Sequence, residues 1–334
     1  MSNPSFGASV PPGGQDPPPR PGATSIARYA AEVVSPRNTL FLVLVIVSLF
    51  VFWTPVRTLL HYSLRVGDHD YDKYSHTLLI PFISMVLMFL ERKRIFARVR
   101  YGFRIGAILL FAGLIVNGSA GWGLNQLGAE NSLSVRVLAL VIFWIAGFIF
   151  CYGTEAARAG VFPLLFLLLA VPIPNLLVNA PLAAVRYGST EVCSLIFNVA
   201  GVPFLRNGYE FALPTISIEV AKECSGIHST LALFIVSLVA GHLFLTSLWK
   251  KVLLVLFVLP VVCITNGLRI AGLTLLSVYV DPRFMHSNLH REGGIGFFLL
   301  ALLFLFAVLR LLRGRQRVKE SRAEVSGYTE GHKL

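Results

Sequence analysis

Cys224 stands in the run Glu223-Cys224-Ser225-Gly226, directly ahead of about 20 nearly uncharged residues. Arg269 follows in Asn266-Gly267-Leu268-Arg269, deep in apolar sequence, and His290 precedes the last hydrophobic run. A thiol, a guanidinium and an imidazole are the groups that acyl transfer needs: a nucleophile, a stabiliser of negative charge and a proton carrier. At a helix N-terminus, unpaired N–H groups and the helix dipole favour a thiolate at Cys224, and a neighbouring guanidinium would add to this. Glu223 acts the other way if it points inward. Ser225 and Gly226 leave room behind the sulfur for a substrate backbone.

Each of these residues also has a plainer role. A cysteine in an apolar helix usually only packs. An arginine near the end of an apolar run often reaches out to headgroups, although a charge inside such a run is costly unless paired. Asn266 lies three residues before Arg269 on the same helix face and would share its polar site. The base is open: His290 is preferred, with His76, His228 and His286 competing. His228 lies four residues after Cys224 on the same helix but would sit deeper in the membrane. Asp70 and Asp72 read as solvated loop residues. The four cysteines have neither CxxC nor other metal-ligand spacing, and no P-loop, GxGxxG or HExxH occurs, so neither a metal nor a cofactor is expected. Cys193 and Cys224 leave a thiol–disulfide partner as a further option.

The elements that must position these groups are apolar. Of 334 residues 55% are hydrophobic and 14% charged, with mean hydropathy +0.71, against roughly 25% charged in an ordinary soluble domain. The apolar runs are continuous, not alternating, so an all-α, polytopic transmembrane helical bundle is expected in place of a membrane β-barrel. Candidate spans are 39–60, 77–90, 103–124, 133–153, 159–172, 224–247, 252–272 and 293–310, about eight in all. The formal charge of +12 sits mostly beside these runs, where it sets orientation and does not signal nucleic acid. Grouping the Lys and Arg residues puts both termini in the cytoplasm.

Residues 1–36 are rich in Pro, Gly and Ser and read as a disordered cytoplasmic tail, residues 37–312 as the transmembrane domain, and 313–334 as a basic, disordered tail. The segment 175–200, after Pro172-Ile173-Pro174, is expected to lie as an amphipathic helix along the outer interface. Residues 202–222 then form a small extracytoplasmic insertion. In it Ile216, Ile218 and Val220 alternate with polar residues, as in a short strand, and Asn207-Gly208 marks a turn. A small hairpin leading into Cys224 is expected. With Val252 at the cytoplasmic face, 17 residues of helix carry Arg269 about 26 Å outward, close to the far boundary of a hydrocarbon core about 30 Å thick. Cys224, Arg269 and His290 then share the outer level.

At these residues the chain resembles the exosortase/archaeosortase family of membrane cysteine enzymes. The blocks that carry the resemblance are Asp72-Lys73-Tyr74-Ser75-His76, Val171-Pro172-Ile173-Pro174-Asn175, Glu223-Cys224-Ser225-Gly226-Ile227, Asn266-Gly267-Leu268-Arg269-Ile270, and His290 with Gly294 and Phe297-Phe298 behind it. Thr77 stands where the family pattern often has Gly. The resemblance covers roughly residues 40–312. It implies a catalytic trio of Cys224, Arg269 and His290, and favours His290 over His228 as base. It also implies a substrate class: exported proteins with a C-terminal signal of a short motif such as Pro-Glu-Pro, a hydrophobic helix and a basic cluster. The expected activity is that of a cysteine protease/transpeptidase in the cell membrane. The competing function is a non-catalytic carrier or assembly factor in envelope polysaccharide export.

Overall fold

The computed structural model describes residues 35–64, 74, 76–122, 129–173, 175–220, 227–281 and 294–331, with side chains described to Gly314 in the last of these. Each apolar run forms helix. In chain order these are α1 (Pro36–Val51), α2 (Trp53–Ser63), α3 (Leu79–Leu90), the single turn α4 (Arg92–Ile95), α5 (Phe103–Trp122), α6 (Ala129–Ala159) and α7 (Val161–Phe166) with a 3-10 turn Leu167–Ala170. Then come α8 (Asn175–Val199), strands β1 (Leu205–Asn207), β2 (Glu210–Ala212) and β3 (Ser217–Glu219), and α9 (Ile227–Phe244), α10 (Leu248–Leu256), α11 (Val258–Tyr279) and α12 (Gly294–Gly331).

Among the described residues three helices are by length and composition able to cross a membrane, fewer than the about eight expected: Asn131–Ala159, Leu248–Tyr279 (α10 and α11 together) and Gly294–Gly314. A fourth is possible if α1 and α2, bent by 80°, count as one. That bend breaks the expected straight span 39–60. Pro55 has no N–H to give the carbonyl of Val51, and its ring crowds that carbonyl. The other apolar helices are shorter, among them Leu79–Leu90 and Val161–Ala170. At the other terminus, helix α12 runs from Gly294 to Gly331. Its last part, from residue 313, holds no proline and is rich in Arg and Glu, good helix formers.

One end of the bundle is basic. Arg37 donates to the Val99 carbonyl, Arg94 to the Ala159 carbonyl and to Glu91, and Glu91 in turn pairs with His242 near the end of α9. Lys250, buried, donates to the Leu312 carbonyl at 2.9 Å. These contacts gather the N-terminus of α1, the α3–α5 link and the ends of α6, α9, α10 and the α12 span at one level. α1 rises from this end antiparallel to α6, with Tyr152 donating to Asn38 low down and Trp144 to Ser48 higher up. Toward the opposite end Leu59, Tyr74, Leu133 and Val137 form a cluster against which Val171 packs. Two sequence blocks nearly 100 positions apart, around Tyr74 and around Val171, thereby meet.

The expected interfacial helix is not laid across the bundle. α8 stands alongside α11, and contacts climb both helices together: Val185 beside Cys263, Ser189 beside Asn266, Cys193 beside Gly267. The two are parallel. Glycines permit the approach. A Cβ on Gly188 would lie 2.5 Å from Cys263 Sγ, and one on Gly267 would lie 2.6 Å from Val192 Cβ. Amphipathicity suggests a lipid surface for 175–200, but its second face is filled by a helix.

The C-terminal part of α8 carries the small sheet. β1 and β2 form an antiparallel hairpin through Gly208, whose φ of 62° suits glycine. β3 adds beside β2 with Phe211 opposite Ile218. Phe211 and Ile218 turn inward onto Phe197, Cys193 and Ala271, while their neighbours Glu210, Ser217 and Glu219 face out. The strand alternation is thus a two-faced sheet, and its core rests on the C-terminal half of α11.

Candidate functional site

Arg269 is half-buried on α11. Cys224, Ser225, Gly226 and His290 lie outside the described residues, as do Asp70 and Asp72. His228 is helical, in the first turn of α9. His76 is half-buried in the turn before α3, where its carbonyl accepts the Leu79 N–H. Beside it Thr77 is buried, and its hydroxyl has no hydrogen-bond partner among the described residues.

The described helices fix the level at which α9 and α12 begin. A methyl built on Gly241 would touch Leu254 and Lys251 at 3.7 Å, so α9 runs antiparallel to α10 and α11. Ile227 lies 14 residues before Gly241, about 21 Å along the axis. The same rise from Leu254 ends at Leu268. α12 gives an independent count. Gly294 lies 18 residues before Leu312, about 27 Å, and 18 residues beyond Lys250, the partner of Leu312, is again Leu268. The first residues of α9 and α12 are therefore level with Arg269. In sequence, Ile227 follows Cys224 by three positions and Gly294 follows His290 by four.

The polar neighbours of this level come from α8. Asn266 is buried and donates to Ser189 Oγ at 3.0 Å. Its amide thus serves the α8–α11 contact one turn below Arg269. The Cys193 thiol is fully buried and donates to the Gly267 carbonyl at 3.4 Å. Thiol–disulfide exchange needs a sulfur that a partner can reach, and this one is enclosed. Cys151, Cys193 and Cys263 are free thiols, and no group of three His, Cys, Asp or Glu forms a metal site among the described residues.

Arg186, on α8, is not among the candidate residues of the sequence analysis. Its side chain is 15% exposed. Nε donates to the Val220 carbonyl at 2.5 Å and Nη2 to Glu219 at 2.8 Å, and the guanidinium lies 3.9 Å over the Tyr209 ring. A second arginine works in the reverse direction. Arg206, on β1, donates to Glu191 and Ser194 of α8 and to the Gly208 carbonyl. The Arg206 hydrogen bond holds the Glu191 carboxyl below the usual carboxylate range. An arginine in an otherwise apolar segment was the available signal for Arg186. Its partners lie 23 to 34 positions away, and no spacing rule reaches that far.

An all-α bundle with several apolar helices, one basic end and a small sheet at the other defines an integral membrane protein. Residues 69–307 match the family model described as Transmembrane exosortase (Exosortase_EpsH), and the chain belongs to the transmembrane exosortase family. No curated protein and no solved structure matches it.

Proposed function

We propose that this protein is a membrane-embedded cysteine protease/transpeptidase acting at the outer face of the cell membrane on the C-terminal sorting signals of exported proteins. The observation that carries the reading is the common level of Arg269, the start of α9 and the start of α12, about 27 Å from the basic end. The basic end faces the cytoplasm, as positive charge beside apolar helices directs, and both termini lie there. The substrate's hydrophobic helix inserts beside the bundle and presents its scissile bond at the outer boundary.

In the reaction, His290 accepts the Cys224 proton and the thiolate attacks the carbonyl carbon. Arg269 stabilises the oxyanion of the tetrahedral intermediate. The C–N bond breaks as His290 returns the proton to the leaving amine, and a thioester remains on Cys224. Water, or the amine of an acceptor, then attacks the thioester and frees the thiol. Asn266 contributes by holding α11 against α8. Ser225 and Gly226 admit the substrate backbone, and His76 and His228 are second-line candidates for the base.

The test is processing of a reporter ending in Pro-Glu-Pro, a hydrophobic helix and a basic cluster. Cys224→Ala and Cys224→Ser variants are expected to insert normally and accumulate uncut reporter. Normal cutting by both variants would remove the cysteine mechanism and leave a carrier or assembly factor as the reading.

A further inference from the structure

We infer that the strap joining α3 to α5, residues 91–104, is a binding surface for anionic phospholipid headgroups at the basic end of the bundle. The inference goes beyond the peptidase reading and holds whether or not a thiol does the chemistry.

The strap is fixed by its backbone. α6 breaks at Gly153, whose φ is 85°. A Cβ there would lie 2.2 Å from the Arg100 carbonyl oxygen, so glycine is what lets the strap cross at this point. Beside the break, the Tyr152 and Phe150 carbonyls accept the N–H groups of Arg100 and Gly102, both at 3.2 Å. Arg37 donates to the Val99 carbonyl at 3.2 Å and lies 4.5 Å over the Tyr101 ring. Ile95 is buried in the cluster formed by Phe148, Tyr152 and their neighbours, and Val99 packs against it.

The charges face out. Arg92, Lys93, Arg94, Arg98, Arg100 and Arg104 are all exposed. Glu91 is already shared by Arg94 and His242. Among the described residues no acidic side chain pairs with Lys93, Arg98, Arg100 or Arg104. Like charges held this close in sequence and on an anchored backbone repel one another, and an outside anion relieves that repulsion.

The surroundings of the strap decide which anion. Phe82 and Phe89 of α3 come just before it and Ile108 and Phe111 of α5 just after, each between 62% and 68% exposed. These are lipid-facing positions in a membrane protein. Between them, exposed Phe96, Tyr101 and Phe103 alternate with the cations, as aromatic residues do at headgroup depth. A nucleic acid or an acidic protein would meet the charges alone. A phospholipid meets all three zones: acyl chains on α3 and α5, the interface on the aromatic rings, phosphate on the guanidinium and ammonium groups. Because the strap is already held in place, little ordering opposes binding.

The experiment measures thermal unfolding of the full-length protein in nanodiscs of phosphatidylcholine alone and of equal parts phosphatidylcholine and phosphatidylglycerol. The anionic lipid is expected to raise the melting temperature of the parent by about 4 °C or more, as a ligand of the folded state does. Lys93→Gln/Arg98→Gln/Arg100→Gln/Arg104→Gln is expected to cut that rise to about 1 °C or less. The control Arg315→Gln/Arg317→Gln/Lys319→Gln/Arg322→Gln removes the same charge from α12 and is expected to keep the rise. No rise in the parent, a full rise in the strap variant, or an equal loss in the control would overturn the inference. Inorganic phosphate added to phosphatidylcholine discs is expected to give no rise, and a rise matching that of the lipid would make the ligand a free anion and overturn the lipid assignment. Should the fourfold strap variant fail to accumulate, Arg98→Gln/Arg104→Gln takes its place and is expected to lose about half of the rise; a full rise there overturns the inference equally.

Discussion

Asn266 donates its amide to the Ser189 hydroxyl across the contact of α11 with α8, 3.0 Å apart and both buried. The bond sits one turn below Arg269 on α11 and one turn above Arg186 on α8. Asn266→Ala removes the donor from a buried pair and is expected to cost about 1–3 kcal/mol. Ser189→Ala should cost less than an additive amount in the same background. A double-mutant cycle on thermal unfolding of the detergent-solubilised protein measures the coupling, and full additivity would show that the bond contributes nothing.

Gly267 meets α8 with no room to spare. Gly267→Ala would set a methyl 2.6 Å from Val192 Cβ, which forces the helices apart at about 1–3 kcal/mol. Val192→Gly removes both Val192 atoms that the methyl would meet and leaves the Ser189 carbonyl oxygen at 2.9 Å. The double variant is expected to regain part of the melting temperature that Gly267→Ala alone loses. If it does not, the loss has another origin than this contact.

The Arg206–Glu191 pair gives a pH dependence of known sign. Glu191 has its carboxyl held below the ordinary value, chiefly by the hydrogen bond from Arg206. Its contribution to stability is therefore present above the unfolded value of about 4.3 and disappears as pH falls through the lower folded value. Melting temperatures of the parent and of Glu191→Gln should differ most at neutral pH and converge in acid. A difference that grows toward low pH would contradict this sign.

The basic end and the sheet are expected on opposite sides of the membrane. Glu155→Cys is exposed near the C-terminal end of α6, and Leu205→Cys is exposed on β1. In sealed cells a membrane-impermeant maleimide should label the second and spare the first until the membrane is opened. Labelling of both from outside would refute the assigned orientation.

The apolar runs, the alternation over 216–220 and the grouping of Lys and Arg were legible because each is a local pattern. An unbroken apolar stretch must close its own backbone hydrogen bonds, and helix is the answer wherever it falls. The same logic gave Ile218 and Val220 a common face and placed Arg269 far from Val252 by counting residues. Tertiary structure decided the rest. Whether 175–200 lies on a surface or stands against α11 turns on Gly188 fitting Cys263 and Gly267 fitting Val192, a match of shapes between segments more than 70 positions apart. The tie that Arg186 makes depends on a carbonyl 34 residues away arriving beside it. Composition fixes which segments fold, since burial and helix closure act within a segment. Which faces meet is fixed by packing between segments, where single methyl groups decide the outcome.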